Sequence, residues 1–174
     1  LHHARERFGD HTFLVANGER LTYAQADARS AEIAKGLLAE GIGKGSHVGI
    51  LMPNSVDFVV AALAVGRVGA VFVPVNTFSR TPELAWVIRH ADLTHLIAHP
   101  RFLDNDYLER LEAALPGLAD QRADGALLVP DAPFLRAIHI WGASDRSWSH
   151  DVNAIVTAGE RAGVDDSFLA RSEE

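Results

Sequence analysis

The fold of this sequence is decided by one stretch, Gly45–Asn76, which reads GSHVGILMPNSVDFVVAALAVGRVGAVFVPVN. It contains two short apolar runs, His47–Met52 and Ala70–Val75, that are rich in Val and Ile and bounded by Gly, Pro or Asn. Such runs are typical of strands that are buried on both faces of a parallel sheet. Between them, Ser55–Val68 predicts a helix that is apolar nearly all round and therefore enclosed by the protein. Strand, crossover helix and strand together predict a βαβ unit.

A small hairpin and a helix are predicted ahead of this unit. Leu1–Phe8 has the pattern of a short helix, and the segments after it flank Asn17-Gly18, a dipeptide typical of a two-residue hairpin turn. Thr22 and Gln25 then have the spacing of a capping box, in which each side chain bonds the backbone of the other residue. This pattern predicts a helix from Thr22 to about Glu40 with one apolar stripe facing the core.

Helices and strands continue to alternate after the βαβ unit. Thr81 is the predicted N-cap of the next helix, because Pro82 suits the first helical position. Asp104 is the predicted cap of a later helix, which Pro116-Gly117 ends. The remaining predicted elements are strands at Thr94–Ala98 and Leu135–Ile140, an irregular surface loop at 118–134 and a helix at Ser149–Ala162.

The predicted fold class is α/β, with a mostly parallel sheet flanked by helices in the order β-α-β-α-β-α-β, preceded by the small β-hairpin and helix. At 174 residues the chain has the length of one domain, so we expect 1–174 to fold as a single unit. The final residues, Asp165–Glu174, are polar, and their paired acids, Asp165-Asp166 and Glu173-Glu174, predict a solvated tail.

Composition excludes several classes of function. The absence of Cys excludes disulfides, thiol nucleophiles and thiolate metal sites. A net charge of -7 with scattered Arg residues argues against a nucleic-acid or anionic-membrane surface. The longest apolar run, Phe58–Val65, is 8 residues and too short to span a bilayer. Charged residues near the amino end interrupt any signal-peptide pattern, so we expect a cytoplasmic protein.

Two motifs suggest a phosphate or a metal site, and both fail on their geometry. The glycine-rich segment Gly41–Ser46 follows a helix and opens a strand, whereas a phosphate loop follows a strand and opens a helix. We therefore interpret it as a linker. His95 and His99 are four residues apart, which on a strand is roughly 13 Å and too far to share one ion. The residues alone predict no catalytic, cofactor-binding or metal-binding group.

The topology nevertheless indicates where a ligand would lie. In open α/β sheets, ligands bind beyond the carboxyl ends of the strands. Three segments follow predicted strands in this sequence, namely Pro53-Asn54, Asn76-Thr77-Phe78 and Trp141-Gly142. We expect any direct ligand contact of this chain to come from these segments.

Two segments resemble the core motifs of the adenylate-forming superfamily, which includes acyl-CoA synthetases, luciferases and the adenylation domains of peptide synthetases. Leu21–Asp27, LTYAQAD, is similar to the first motif, usually L-T/S-Y-x-E-L. Val65–Asn76, VGRVGAVFVPVN, is similar to the second, usually L-K-A-G-A-x-Y-V-P-L/I-N/D. The resemblance covers about Phe8 to Leu115 and continues loosely to Asp166. Asn76-Thr77-Phe78 resembles fatty-acyl or aryl-acid CoA ligases more than amino-acid activators.

The resemblance implies a parent enzyme that activates a fatty or aryl carboxylic acid with ATP and Mg and then transfers the acyl group from the adenylate to coenzyme A. The family's phosphate loop, its aromatic-x-T-E motif, its ribose-binding Asp and its C-terminal Lys do not occur in this sequence. We therefore expect this chain to be the N-terminal subdomain, inactive alone, with none of these cofactors bound to it. Its partner in the parent is the carboxylic acid substrate, held by other segments.

A different class of function is left open. The chain could be a non-enzymatic α/β interaction module that pairs with a partner protein. The exposed end of the sheet, where further strands would pack, would leave apolar surface for self-association. The coding sequence beyond Glu174 separates the two hypotheses, because a phosphate loop there indicates a ligase and a stop codon favours the module.

Overall fold

A computed structural model describes residues 2–173 and contains one five-stranded sheet and two small antiparallel ones. From the amino end, the elements are α1 (His2–Phe8), β1 (Thr12–Ala16), β2 (Glu19–Thr22), α2 (Tyr23–Ala39), β3 (His47–Leu51), α3 (Val56–Arg67), β4 (Val71–Pro74), α4 (Thr81–His90), β5 (His95–Ala98), β6 (Arg101–Phe102), β7 (Asn105–Asp106), α5 (Tyr107–Ala114), β8 (Ala137–Ile140), β9 (His150–Asp151), α6 (Asn153–Ala162) and α7 (Asp166–Ser172).

The large sheet has the strand order β4-β3-β5-β8-β9, and every pair in it is parallel. The predicted α/β fold with a hairpin and helix in front is confirmed. Asn17 and Gly18 make the hairpin turn with φ angles of 52° and 82°. The capping box is present as well, since Thr22 Oγ1 accepts from the Gln25 amide at 3.2 Å and the Gln25 side chain accepts from the Thr22 amide at 2.9 Å.

Two predicted helix starts were wrong by one or two residues. The N-cap of α4 is Arg80 rather than Thr81, and its amide donates to the Glu83 carboxylate at 2.8 Å. The cap of α5 is Asp106 rather than Asp104, and Asp106 accepts from the Glu109 amide at 3.1 Å. Asp104 lies instead in the turn of the β6-β7 hairpin, which the sequence pattern did not reveal.

The carboxyl-terminal third contains two elements that were not predicted. The predicted helix at Ser149–Ala162 begins with the two-residue strand β9, and α6 starts only at Asn153. The predicted solvated tail contains α7, capped by Asp165, which accepts from the Phe168 amide at 2.8 Å. Most of the described tail is exposed, as predicted, but it is helical, and Glu173 pairs with Arg67; Glu174 lies outside the described residues.

The sheet separates two apolar layers. Leu96 and Ala98 of β5 point into a layer formed with α4 and α5, whereas Ile97 between them points into a layer formed with α2, α3 and α6. The irregular segment 118–134 contains one short 3-10 turn and adds buried side chains to the first layer, namely Leu118, Leu127, Val129 and Ala132. This segment therefore contributes to the core as well as to the surface.

The βαβ unit is less enclosed than its sequence predicts. β4 is an edge strand, and Val71 on it is 46% exposed. Helix α3 buries Val60 and Ala64 against the sheet, but Ala62 and Leu63 on its other side are only half-buried. Among residues 2–173, no helix has the length and apolarity that crossing a membrane requires.

Helices α2 and α6 make the tightest helix contact at two glycines. A Cβ atom on Gly36 would lie 1.9 Å from the backbone oxygen of Ile155, and one on Gly159 would lie 2.8 Å from the Gly36 amide nitrogen. Backbone atoms cannot give way as a flexible side chain can. Glycine is therefore required at Gly36 for α6 to cover the sheet.

We expect Gly36→Ala to lower the free energy of unfolding by more than about 3 kcal/mol, because α6 must move off α2. Gly66→Ala is the matched control. Gly66 is also helical and has open space around its Cβ position, so alanine there gains up to about 1 kcal/mol of helix propensity. Urea unfolding of both variants measures the difference, and equal effects would contradict the assigned α2–α6 contact.

Candidate functional site at the carboxyl edge of the sheet

Two of the three segments predicted to meet a ligand come together beyond β3 and β4. Pro53-Asn54 and Asn76-Thr77-Phe78 line an open pocket of about 630 Å³. The hairpin closes one side of it, where the Asn17 side-chain amide donates to the backbone oxygen of Asn54 at 3.2 Å. Trp141-Gly142 lies elsewhere, since Trp141 packs against the α2, α3 and α6 layer.

The pocket wall is aromatic and aliphatic with a few neutral polar groups. Phe78 is 62% exposed and meets Phe102 edge to face, with 6.3 Å between ring centroids. The full lining is Asn17, Met52, Pro53, Asn54, Phe58, Pro74, Val75, Asn76, Thr77, Phe78 and Phe102. No ionisable side chain belongs to this wall. The pocket can therefore hold an uncharged group, but it supplies no acid or base for proton transfer.

Helix α5 fixes the loop that carries Phe78. The Tyr107 hydroxyl donates to the backbone oxygen of Thr77 at 3.1 Å, and the Arg110 guanidinium donates to the backbone oxygen of Ser79 at 2.8 Å. Tyr107 is fully buried. These bonds satisfy carbonyl oxygens of the loop that lie beyond the sheet hydrogen bonds of β4. The loop at the edge of the pocket is therefore held in one conformation.

The glycine-rich segment behaves as a turn between α2 and β3. Gly41 and Gly45 have φ angles of 79° and 88°, in the left-handed region that glycine adopts without strain. The Ser46 hydroxyl accepts from the Gly43 amide at 3.2 Å. The segment opens a strand, and so its amides do not converge at a helix amino end, as phosphate binding would require.

A buried histidine cluster lies at the carboxyl end of α2, and the sequence analysis missed it. The Glu40 carboxylate is 3.1 Å from His139 Nε2 and 3.8 Å from His95 Nε2. The His95 and His139 rings stack at 6.2 Å, and His139 and His150 stack at 5.2 Å. The signal in the sequence was an acid at a helix carboxyl end, where the helix dipole disfavours negative charge and a partner is needed.

The cluster has the chemistry of a structural contact. Stacked imidazoles present their faces to one another, so their lone pairs do not converge on a point where an ion could bind. Among the residues that the structure describes, no group of His, Asp and Glu could hold a metal ion. The Nδ1 atoms of His95 and His139 are buried without a hydrogen-bond partner, which an uncharged ring nitrogen tolerates better than a charged one does.

Burial, reinforced by the neighbouring His139, lowers the pKa of His95 from its ordinary 6.5 to about 4. Burial alone would raise the pKa of Glu40, but the hydrogen bond from His139 and the nearby imidazoles outweigh it and lower that pKa. His150 also has a pKa lowered by burial and by His139. Folding therefore favours the uncharged forms of His95 and His150 and the charged form of the Glu40 carboxylate.

This arrangement predicts loss of stability in acid. His95 binds a proton below about pH 6.5 in the unfolded chain but only near pH 4 in the folded one. The contribution of the uncharged His95 to the free energy of unfolding is therefore complete above pH 6.5, and it declines as the pH falls from 6.5 to about 4. We expect His95→Leu to reduce the loss of unfolding free energy between pH 7 and pH 5 by about 2 kcal/mol. His90→Gln on the exposed surface is the control, and an unchanged loss in His95→Leu would refute the assignment.

Comparison with known proteins identifies the family. The family model described as AMP-binding enzyme matches residues 1–162. The chain belongs to this family. It is 32% identical over 114 residues to a medium/long-chain-fatty-acid–CoA/3-oxocholest-4-en-26-oate–CoA ligase of Mycobacterium marinum, covering 66% of this chain and 20% of that protein. It is 40% identical over 88 residues to 4-coumarate–CoA ligase 5 of Oryza sativa subsp. japonica, covering 51% and 16%.

Solved structures agree on the fold. The crystal structure of the anthranilate CoA ligase AuaEII in complex with anthranoyl-AMP matches with a TM-score of 0.72 at 20% identity, covering 89% of this chain and 26% of that one. The adenylate-forming resemblance is confirmed by the family match, and the fold agrees with part of the fold of such a ligase. The chain spans a fifth or less of the length of the two curated relatives named above.

Proposed function

We propose that this chain is the N-terminal subdomain of an ATP-dependent carboxylic acid–CoA ligase that works through an acyl-adenylate. The observation that carries the proposal is the family match over residues 1–162, together with relatives named as acid–CoA ligases. The same relatives support a fatty or aryl acid as the substrate of the whole protein. A cytoplasmic location belongs to this proposal, as do ATP, Mg and coenzyme A as the parent's cofactors.

The role of the chain itself is to provide a scaffold. A triphosphate with Mg²⁺ requires cationic side chains and carboxylates around it. The carboxyl-edge pocket has neither, since its polar groups are Asn17, Asn54, Asn76 and Thr77. The residues at this edge therefore do not fit the nucleotide, and the adenylation step belongs to segments outside this chain. What the chain supplies is a rigid sheet edge against which such segments can pack.

ATP–pyrophosphate exchange tests the proposal. We expect exchange by the full-length parent with a long-chain fatty acid or 4-coumarate as the acid, followed by thioester formation when coenzyme A is added. The isolated 174-residue chain is expected to show no exchange and no micromolar ATP binding by calorimetry. Exchange or tight ATP binding by the isolated chain would overturn its role as a scaffold, and a full-length parent inert with every acid tested would overturn the ligase assignment.

A second candidate is the non-enzymatic interaction module, and one observation favours it. Val71 on the edge strand β4 and Val15 on the hairpin expose 46% and 52% of their surface. Exposed apolar side chains at a sheet edge are a route to self-association. Sedimentation of the chain with and without Val71→Lys measures this, because self-association through this edge would be lost in the variant.

A further inference from the structure

The last helix, α7, is attached to the rest of the chain by few contacts. Of its side chains only Leu169 is buried, at 2% exposure, while Asp166, Phe168 and Arg171 are exposed. A helix of 7 residues is too short to be stable by itself, because nucleation costs more than a few bonds return. Whether α7 stays helical therefore depends on what holds it against α2 and α3.

Two ion pairs hold α7, one near each end of the helix. Lys35 Nζ of α2 lies 2.7 Å from the Asp166 carboxylate at the amino end of α7. Arg67 of α3 pairs through Nε with the Glu173 carboxylate, just past the carboxyl end. Leu169 lies between the two pairs along the helix. The attachment of α7 thus consists of one apolar contact flanked by two electrostatic ones.

Arg67 serves two neighbours at once. Its Nη1 donates to the backbone oxygen of Asp27 at 2.8 Å, to the Asp27 carboxylate at 2.9 Å and to the Ser30 hydroxyl at 3.0 Å. Arg5 of α1 pairs with the other oxygen of Asp27 at 3.0 Å. Helices α1, α2, α3 and α7 therefore meet at one ionic junction, which we define as Arg5, Asp27, Arg67 and Glu173.

The two sides of this junction differ in burial. The side chains of Arg67 and Asp27 are 12% and 5% exposed, while Glu173 is 29% exposed. At the other end of α7, Asp166 is 89% exposed. Salt screens exposed pairs and leaves buried pairs largely intact. The bonds to Asp27 therefore persist under conditions in which the bonds to α7 weaken.

Beneath α7 lies an open groove with a volume of about 1480 Å³. Its floor is the half-buried side of α3, including Val59, Ala62 and Leu63, and α7 contributes Leu169 and Ala170 to one wall. Release of α7 would open this wall and uncover the apolar floor. The remaining core would keep its contacts, because Leu169 is the only buried side chain that α7 provides.

We propose that α7 is a strap that opens and closes over this groove while the five-stranded sheet stays folded, and that Arg67 holds it closed through Glu173. The inference concerns access to the groove and does not depend on the ligase activity. Arg67 is a positioning residue in this role. Its contact with Asp27 keeps the guanidinium in place, ready to pair with Glu173 when the strap returns.

Hydrogen exchange of the 174-residue chain tests the proposal. In Glu173→Gln we expect the amides of Leu169–Glu173 to exchange about fivefold faster at low salt, since an exposed ion pair contributes up to about 1 kcal/mol. The slowest amides of β5 should be unchanged. Raising the salt concentration should speed the strap amides of the native chain by a similar factor and affect the variant much less.

Glu160→Gln provides the matched control, because it makes the same substitution at an exposed position on α6, and it should leave exchange of the strap amides unchanged. Arg67→Lys should mimic Glu173→Gln, since one ammonium cannot bond both Asp27 and Glu173 in the same geometry. The proposal would be overturned if the strap amides showed no protection, if they exchanged only at the slow rate of the β5 amides, or if Glu173→Gln and Glu160→Gln had the same effect.

Discussion

A parallel sheet has to be covered on both faces, and this requirement organises the whole chain. Each right-handed crossover places a helix on one face, so alternate residues of a single strand enter different layers. In β5, Leu96 and Ile97 are both fully buried, yet they belong to opposite apolar layers. The layers share the sheet as a common wall, and neither can lose its helices without exposing the backbone ladder between them.

The two faces of the sheet are covered in different ways. On one face, α4 and α5 cooperate with the irregular segment 118–134, whose Leu118 and Leu127 fill the remaining volume. On the other face, α2 and α6 approach so closely that Gly36 and Gly159 leave no space for a side chain. The carboxyl edge of the sheet is left open between these layers. The pocket at this edge is lined by neutral side chains.

The sequence predicted the elements whose signals are local. The Asn17-Gly18 turn and the Thr22 capping box depend on neighbouring residues and were confirmed. The carboxyl-terminal elements were missed because they depend on distant partners. Strand β9 is two residues long and exists through its pairing with His139 and Ile140, and α7 depends on Lys35 and Arg67. No periodicity in Asp165–Glu173 could reveal contacts with residues more than a hundred positions away.

In the candidate site, too, the features with a signal in the sequence were predicted and those that depend on distant partners were missed. The segments beyond the strands could be located because the topology alone places them, and two of the three do form one pocket. The Glu40 and histidine cluster escaped the sequence analysis because its members come from the carboxyl cap of α2 and from β5, β8 and β9, and each appears in the sequence as a single polar residue.

The dependence of both layers on one sheet is tested most directly by whether the two layers unfold together. Trp148 is buried in the layer with α4 and α5, where its Nε1 donates to Glu112 at 2.9 Å, and Trp141 packs in the opposite layer. Variants that lack Trp86 and retain only one of these two tryptophans report on each layer separately by fluorescence during urea unfolding. If both layers depend on one shared sheet, the two transitions coincide and have one midpoint. Separate midpoints for Trp141 and Trp148 would contradict a single shared sheet as the organising element.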